Sequence, residues 1–498
     1  MTDYACRVTA HGQRQLELDI TYPVDTGRRV CKYNLDLFIF TSSTLGLSEE
    51  RYGIKSFLDD LKSYTRHKTP RIPFASLVDP ACEVSPLTRI KGHLAGADLR
   101  KDLRLDHLLY EIRTLANIHN AETRNVRHLL RDELAKSGGS AGATARLKTY
   151  LAELDAFLAT SRELHQAFLD SRVPDTIREA MRWADEAISL KTEKNIYRLH
   201  EMFREAGADE AVALLGRRLG REDAYRAEAG YDTHVSPDDQ SANEQFIYRE
   251  SVLKKWAQGA MYMSVERSKA LARVAQILAA SAAAVAMAFA LGATFLTQQY
   301  FSSDTVTWAA LIVVAYIFKD RIKETLRSLL LASLPRFVAD RAHKLVDTAA
   351  GRTVGSTRER VRFLAPADVP KDVCYLRDIE GNPFRSILPV ENVIHYHKTV
   401  RINSRALMKY HTRLDSITEI LRLKLDSWLS EMDEPVQRLS CARDGERRDL
   451  EAPRVYHANL VLQMSDGGSR KAPALLKHRI IMNRDGIVRT EKLERLSK

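Results

Sequence analysis

The chain has 498 residues, 45% hydrophobic and 28% charged, with a mean hydropathy of −0.31. It is too long for one hydrophobic core and too polar to be built mostly of membrane helices. The formal charge of +11 is uneven: 35 Lys and Arg stand against 24 Asp and Glu after residue 318, and 41 against 41 before it. Such a bias suits anionic lipid, another polyanion or a protein partner. Five scattered cysteines, with no C-x-x-C pair, argue against a disulfide framework or a thiolate zinc site and predict reduced, buried thiols.

The opening "MTDYACRVTAHGQRQLELD" lacks an apolar core behind a basic segment, so no cleavable signal peptide is expected. Two strand-like runs follow. Leu16, Leu18, Ile20 and Tyr22 alternate with polar residues in the first; in the second, Leu35, Leu37 and Ile39 oppose Asp36, Phe38 and Phe40. With "DTGRR" between them, they predict an antiparallel pair. A helix over 48–66, capped by Ser48 and stopped before Pro70 and Pro73, would complete a small α+β unit over 1–95.

Residues 96–220 carry apolar positions at three- and four-residue steps and predict long paired helices or a bundle, broken at "SGGSAGA". The polar run 221–245 reads as a linker. Residues 246–273 read as a juxtamembrane helix continuous with what comes next.

Residues 274–296 form an uncharged run of 23, roughly 34 Å as a helix and enough for a hydrocarbon core of about 30 Å. Its alanines and Gly292 would let a second helix approach closely. The run "VTWAALIVVAYIF" alone is short, but extended back to Tyr300 it covers 300–318 and nearly spans. Tyr300, Phe301 and Trp308 lie toward one end, Tyr316 and Phe318 toward the other, as interfacial anchors would. Arg267, Lys269 and Arg273 precede the pair and Lys319, Arg321, Lys323 and Arg327 follow it, while the connection holds only Asp304. By the positive-inside rule this predicts a transmembrane hairpin over 274–318 in a cell inner membrane, with both termini cytoplasmic.

The stretch 319–350 reads as an amphipathic basic helix, with Ile322, Leu326, Leu329, Leu330, Phe337 and Val338 available for one face. Residues 351–498 read as a basic α+β domain. "GRTVGSTRER" lacks the P-loop lysine and reads as a linker. Strands are expected near 360–364, 392–402, 455–464 and 475–489, the last broken by an "NRDG" hairpin turn, with a helix near 414–431. The expected fold class is thus α+β, with two cytoplasmic parts joined by a two-helix transmembrane hairpin.

In "VIHYHKTVRIN", His395 and His397 share one strand face, where they could ligate a metal. Ile394, Tyr396, Val400 and Ile402 take the other face, and no acidic ligand stands nearby, so a solvated strand face is the plainer reading. His411, His457 and His478 could join only through tertiary folding. No nucleophile elbow, dinucleotide fingerprint or kinase signature occurs. Asp59-Asp60 and Asp238-Asp239 are adjacent and point to different faces, and the basic C-terminal segments interleave few aromatics for nucleic acid. No cofactor is expected. The sequence therefore predicts a two-pass membrane-anchored scaffold, with lipid headgroups, an unidentified protein or a second copy as partners. The alternative is a membrane-bound enzyme with a dispersed site around His395, His397 and Arg401.

Overall fold

The computed structural model describes residues 5–95, 102–136, 139–169, 173–268, 270–300, 306–337, 339–348, 351–377, 391–409, 411, 413–443, 445–468 and 473–493. The protein is mixed α+β. Its strands are β1 (Ala5–Ala10), β2 (Gln15–Pro23), β3 (Val30–Ser42), β4 (Leu61–His67), β5 (Met263–Arg267), β6 (Arg341–Asp347), β7 (Arg352–Leu364), β8 (Glu391–Asn403), β9 (Ser416–Lys424), β10 (Val436–Arg443), β11 (Glu446–Pro453), β12 (Tyr456–Asp466), β13 (Ala474–Asn483) and β14 (Gly486–Leu493).

They form an eight-stranded sheet in the order β14-β13-β12-β3-β8-β7-β6-β5, a four-stranded sheet in the order β1-β2-β9-β4, and the exposed hairpin β10-β11. Among the described residues every pairing of these strands is antiparallel. The alternation of β2 buries Leu16, Leu18, Ile20 and Tyr22 against Leu35, Leu37 and Ile39 of β3 in one core between the two large sheets. The opposite face of β3 is apolar at one end, where Phe38 and Phe40 meet Val373 and Leu376 of the short helix Lys371–Arg377.

This arrangement corrects the expectation of separate N- and C-terminal parts. β3 lies between β8 and β12, so the first and last segments of the chain build one body. β2 and β3 are not a hairpin: the Asp25–Arg29 connection carries the chain from one sheet to the other, and a turn signal reads the same in either case. The helix expected over 48–66 is limited to Gly53–Asp60, because Leu61, Thr65 and His67 then bury with period two as β4. The segment 416–424 is β9, not a helix. Its β-branched Ile417, Thr418 and Ile420 suit a strand between β2 and β4. "GRTVGSTRER" belongs to β7 rather than to a linker. β7, β8, β12 and the β13-β14 hairpin lie where strands were expected, and Asn483 Oδ1 accepts from the Asp485 and Gly486 amides in the "NRDG" turn.

Between β4 and β5 a helical bundle is inserted, built mainly from Asp102–Leu134, Ser140–Ala167, Asp175–Glu205 and Gln240–Gly259. Its core already includes Phe74, Leu77, Leu87 and Ile90, so the last part of the expected 1–95 unit belongs to the bundle. The expected linker 221–245 holds the helix Arg221–Glu228 and the start of Gln240–Gly259, whose first turn is capped by the Asp239 carboxylate on the Ser241 and Ala242 amides. That helix stops at Gly259. β5 then separates it from the next, so it does not run on into the apolar span.

Between β5 and β6 the chain makes a second excursion, through helices Ala270–Tyr300 and Val306–Phe337 packed on each other. Ala282, Ala286 and Ala290 are buried at four-residue steps on the first, and Ala315 is buried on the second. Ile277, Phe295, Leu296, Val313, Ile317 and Phe318 are exposed. Gln276–Tyr300, with a mean hydropathy of 2.0, is long and apolar enough to cross a membrane by length and composition. The expected second span does not pass that test among the described residues. Residues 301–305 lie outside them, and the 13 residues from Val306 to Phe318 make roughly 20 Å of helix. The same helix continues through Lys319, Arg321, Lys323 and Arg327 to Phe337, so no separate amphipathic helix starts at 319. Lys269 and Val338 lie outside the described residues.

β5 faces Asp347 at Met263 and His343 at Arg267. The bundle and the apolar helix pair therefore leave this five-residue ladder from opposite ends, about 13 Å apart.

Candidate anion-binding cleft

The histidines singled out in the sequence are held by an acid that only strand register reveals. β3 sets Asp36 directly across from His397, and Asp36 Oδ1 lies 2.9 Å from His395 Nε2 and 2.7 Å from His397 Nδ1. Burial works to raise the Asp36 pKa, but the two imidazole hydrogen bonds outweigh it and hold the carboxyl down to about 2. His395 also stacks on Phe38, with ring centroids 4.4 Å apart, and His397 Nε2 is 3.1 Å from Thr399 Oγ1. The rings and the carboxylate satisfy one another. Arg401 lies four residues beyond His397, opposite Lys32, and strand spacing keeps it roughly 13 Å away. The structure joins the two histidines and leaves Arg401 apart.

A different set of residues converges in the bundle, around a cleft of 560 Å³. Three helices build it, each through residues at the i, i+3, i+4, i+7 spacing that shares a helix face. Asp102–Leu134 contributes Asn120, Thr123, Arg124 and Arg127, and Asp175–Glu205 contributes Lys191, Lys194, Asn195 and Arg198. Gln240–Gly259 adds Ile247, Glu250, Ser251, Lys254 and Gln258, and β4 adds Arg66. Seven basic side chains thus face a single carboxylate.

That carboxylate is already engaged. Glu250 accepts from Lys191 at 2.7 Å and Lys194 at 2.8 Å. Burial alone would raise its pKa, but these two lysines lower it below the usual carboxylate range. Arg127 donates to Asn195 Oδ1 at 3.2 Å. Among the described residues no carboxylate pairs with Arg66, Arg124, Arg198 or Lys254, and Arg66 Nε is buried without a partner. Burial, then the charges of Arg66 and Arg198, pushes the Arg124 guanidinium below its ordinary range; burial, Arg198 and Arg124 do the same to Arg127. The site is a set of cations held together against their mutual repulsion, which a multivalent anion would relieve.

The 560 Å³ cleft has the volume of a small-molecule site, and among the described residues no aromatic side chain lines it on which a base could stack. Planar guanidinium forks and lysine ammonium groups instead match several phosphate groups on one small ligand. The helical spacing of Arg124 with Arg127 and of Lys191, Lys194 and Arg198 was visible in the sequence. Nothing in it said that the two faces met. No protein-family model, curated protein or solved structure matches this chain, so its residues alone carry the functional reading.

Proposed function

We propose that this chain is a membrane-anchored binding protein whose bundle captures a small oligophosphate anion. One observation carries the ligand reading: seven bases and one neutralised acid line a cleft of small-molecule volume. Each phosphate oxygen met by a guanidinium or ammonium gains a charge-assisted hydrogen bond of about 1.5–3 kcal/mol. Micromolar affinity corresponds to about 8 kcal/mol, so most of the seven bases must engage the anion to reach it after the cost of association.

The anchor in this proposal is the helix pair between β5 and β6. Its support is the exposed apolar surface at Ile277, Phe295, Leu296, Val313, Ile317 and Phe318, which lipid would cover, and the alanine seam at Ala282, Ala286 and Ala290, which lets a second helix pack closely. Arg267, Arg273, Lys319, Arg321, Lys323 and Arg327 flank it, so both ends face the cytoplasm of an inner membrane, and the bundle joins the β body at the other end of β5 from the anchor. The scaffold reading then narrows to a scaffold whose partner contacts depend on the bound anion.

The test is calorimetric titration of the detergent-purified full chain with sodium tripolyphosphate. Saturable binding at one site per chain, weakened by salt, is expected. Absence of binding at low ionic strength overturns the ligand reading.

A further inference from the structure

At the junction of the β body and the bundle, three ligand-type side chains meet in an enclosed space. His67 ends β4, Asp347 ends β6, and His411 follows the short helix Ser404–Met408. Their side chains are 1%, 2% and 3% exposed, and a candidate ligand atom from each lies within 4.8 Å of the others. Asp347 turns one oxygen toward each ring: Oδ1 is 4.0 Å from His67 Nε2, and Oδ2 is hydrogen-bonded to His411 Nε2. The imidazole centroids are 4.3 Å apart.

Hydrogen bonding among the three leaves the cluster incomplete. Among the described residues neither ring nitrogen of His67 has a hydrogen-bond partner, although the side chain is buried. An orphaned buried polar atom costs about 1–3 kcal/mol, and natural interiors rarely tolerate it without cause. A cation between the three residues would take the lone pair of His67 Nε2 and share Asp347 with His411.

We propose that His67, Asp347 and His411 form a binding site for a divalent first-row transition metal, with Zn²⁺ the best match. Two imidazole nitrogens and the Asp347 carboxylate supply three ligands of a four-coordinate zinc centre, with a water to take the fourth position. The neighbouring side chains fit that role. Tyr110, on the bundle helix Asp102–Leu134, has its hydroxyl 3.0 Å from His411 Nδ1. When Nε2 binds the metal, Nδ1 carries the ring proton and donates it to the Tyr110 oxygen; the imidazole stays neutral and only its tautomer changes. At the next residue of that helix, Glu111 accepts from Arg413 at 2.8 Å, a second tie between the same two parts. The metal would lock the bundle onto the β body where Arg66, beside His67, enters the cleft. The inference does not rest on the oligophosphate reading.

The test uses the full chain in mild detergent, stripped with EDTA and titrated with Zn²⁺ and, separately, Co²⁺. One ion per chain, at sub-micromolar affinity for Zn²⁺, is expected, together with the intense visible absorption of four-coordinate Co²⁺. His67→Ala and Asp347→Asn should each weaken Zn²⁺ binding by more than about 100-fold, and the milder Tyr110→Phe by about 10–100-fold. The double variant His395→Ala/His397→Ala should bind as the wild type does. The wild-type Co²⁺ spectrum and Tyr110→Phe decide the matter even if the ligand variants do not fold. A wild type that binds no Zn²⁺ at micromolar concentration, a Co²⁺ spectrum of the weak six-coordinate kind, or unchanged affinity in Tyr110→Phe and His67→Ala would each overturn the site.

Discussion

Arg124→Gln separates binding from folding, because its two effects have opposite sign. In the ligand-free protein Arg124 faces Arg66 and Arg198 without a carboxylate, so removing its charge relieves repulsion. Glutamine is as good a helix former as arginine, so the variant should melt no lower than the wild type. In the complex the same change removes one charge-assisted contact of about 1.5–3 kcal/mol, or about 10- to 150-fold in Kd. Calorimetry with tripolyphosphate reads the affinity, and melting with and without the anion reads the coupling. At a ligand concentration of 100 times Kd the wild type should gain about 2.7 kcal/mol, and the variant much less at that concentration. Undiminished affinity, or a variant already destabilised without anion, would refute the cleft as a site of frustrated charge.

Other consequences follow from buried charge and from topology. Lys398 is enclosed between Glu359, at 2.8 Å, and Glu419, so Lys398→Met leaves two carboxylates facing each other and should cost about 3–5 kcal/mol of unfolding free energy, seen as a lower urea midpoint. Adding Glu359→Gln and Glu419→Gln should restore most of the loss; an unshifted midpoint in Lys398→Met alone would count against the network. Asp36 is held at about 2, below its ordinary 3.8, so its contribution is present above about pH 4 and is lost as pH falls toward 2. His395→Ala/His397→Ala should therefore lower stability by about 1–2 kcal/mol at pH 5, and that deficit should shrink by pH 3. Because Arg267 and His343 are already cross-strand partners, replacing 268–340 with a short Asn-Gly turn should yield a protein that is monodisperse without detergent and still binds tripolyphosphate. Aggregation of that variant, or a wild type equally soluble without detergent, would tell against the anchor.

Local periodicity made several elements legible: the two-residue alternation of Leu16 to Tyr22, the long bundle helices, the "NRDG" hairpin and the uncharged run at 274–296. It failed where tertiary partners decided between local alternatives. Leu61 to His67 and Ser416 to Lys424 hold short apolar patterns compatible with either a helix or a strand, and each becomes a strand because the other lies beside it. The histidine pair was recognised but its acid was not, since Asp36 and His397 are 361 residues apart. The cleft was missed for a related reason. Charged residues at helical spacing normally mark a solvated face, and only the bundle's packing turns three such faces toward one another.

The two insertions also bear on how the protein is made. β3 leaves the ribosome early, yet its neighbours β8 and β12 lie more than 300 residues downstream, beyond the bundle and the apolar helix pair. At about 5–20 residues per second, β3 waits roughly 20–70 s for β8. The bundle, whose contacts are more local, can fold during that interval, and if the apolar pair is the proposed anchor it can reach lipid before the sheet exists. On the proposed anchoring, the β body would then close last, around an element already held by lipid. During synthesis the vulnerable species is a chain with a finished bundle and a hydrophobic, two-sided β3 still unpaired, which is the stage at which a chaperone would be needed.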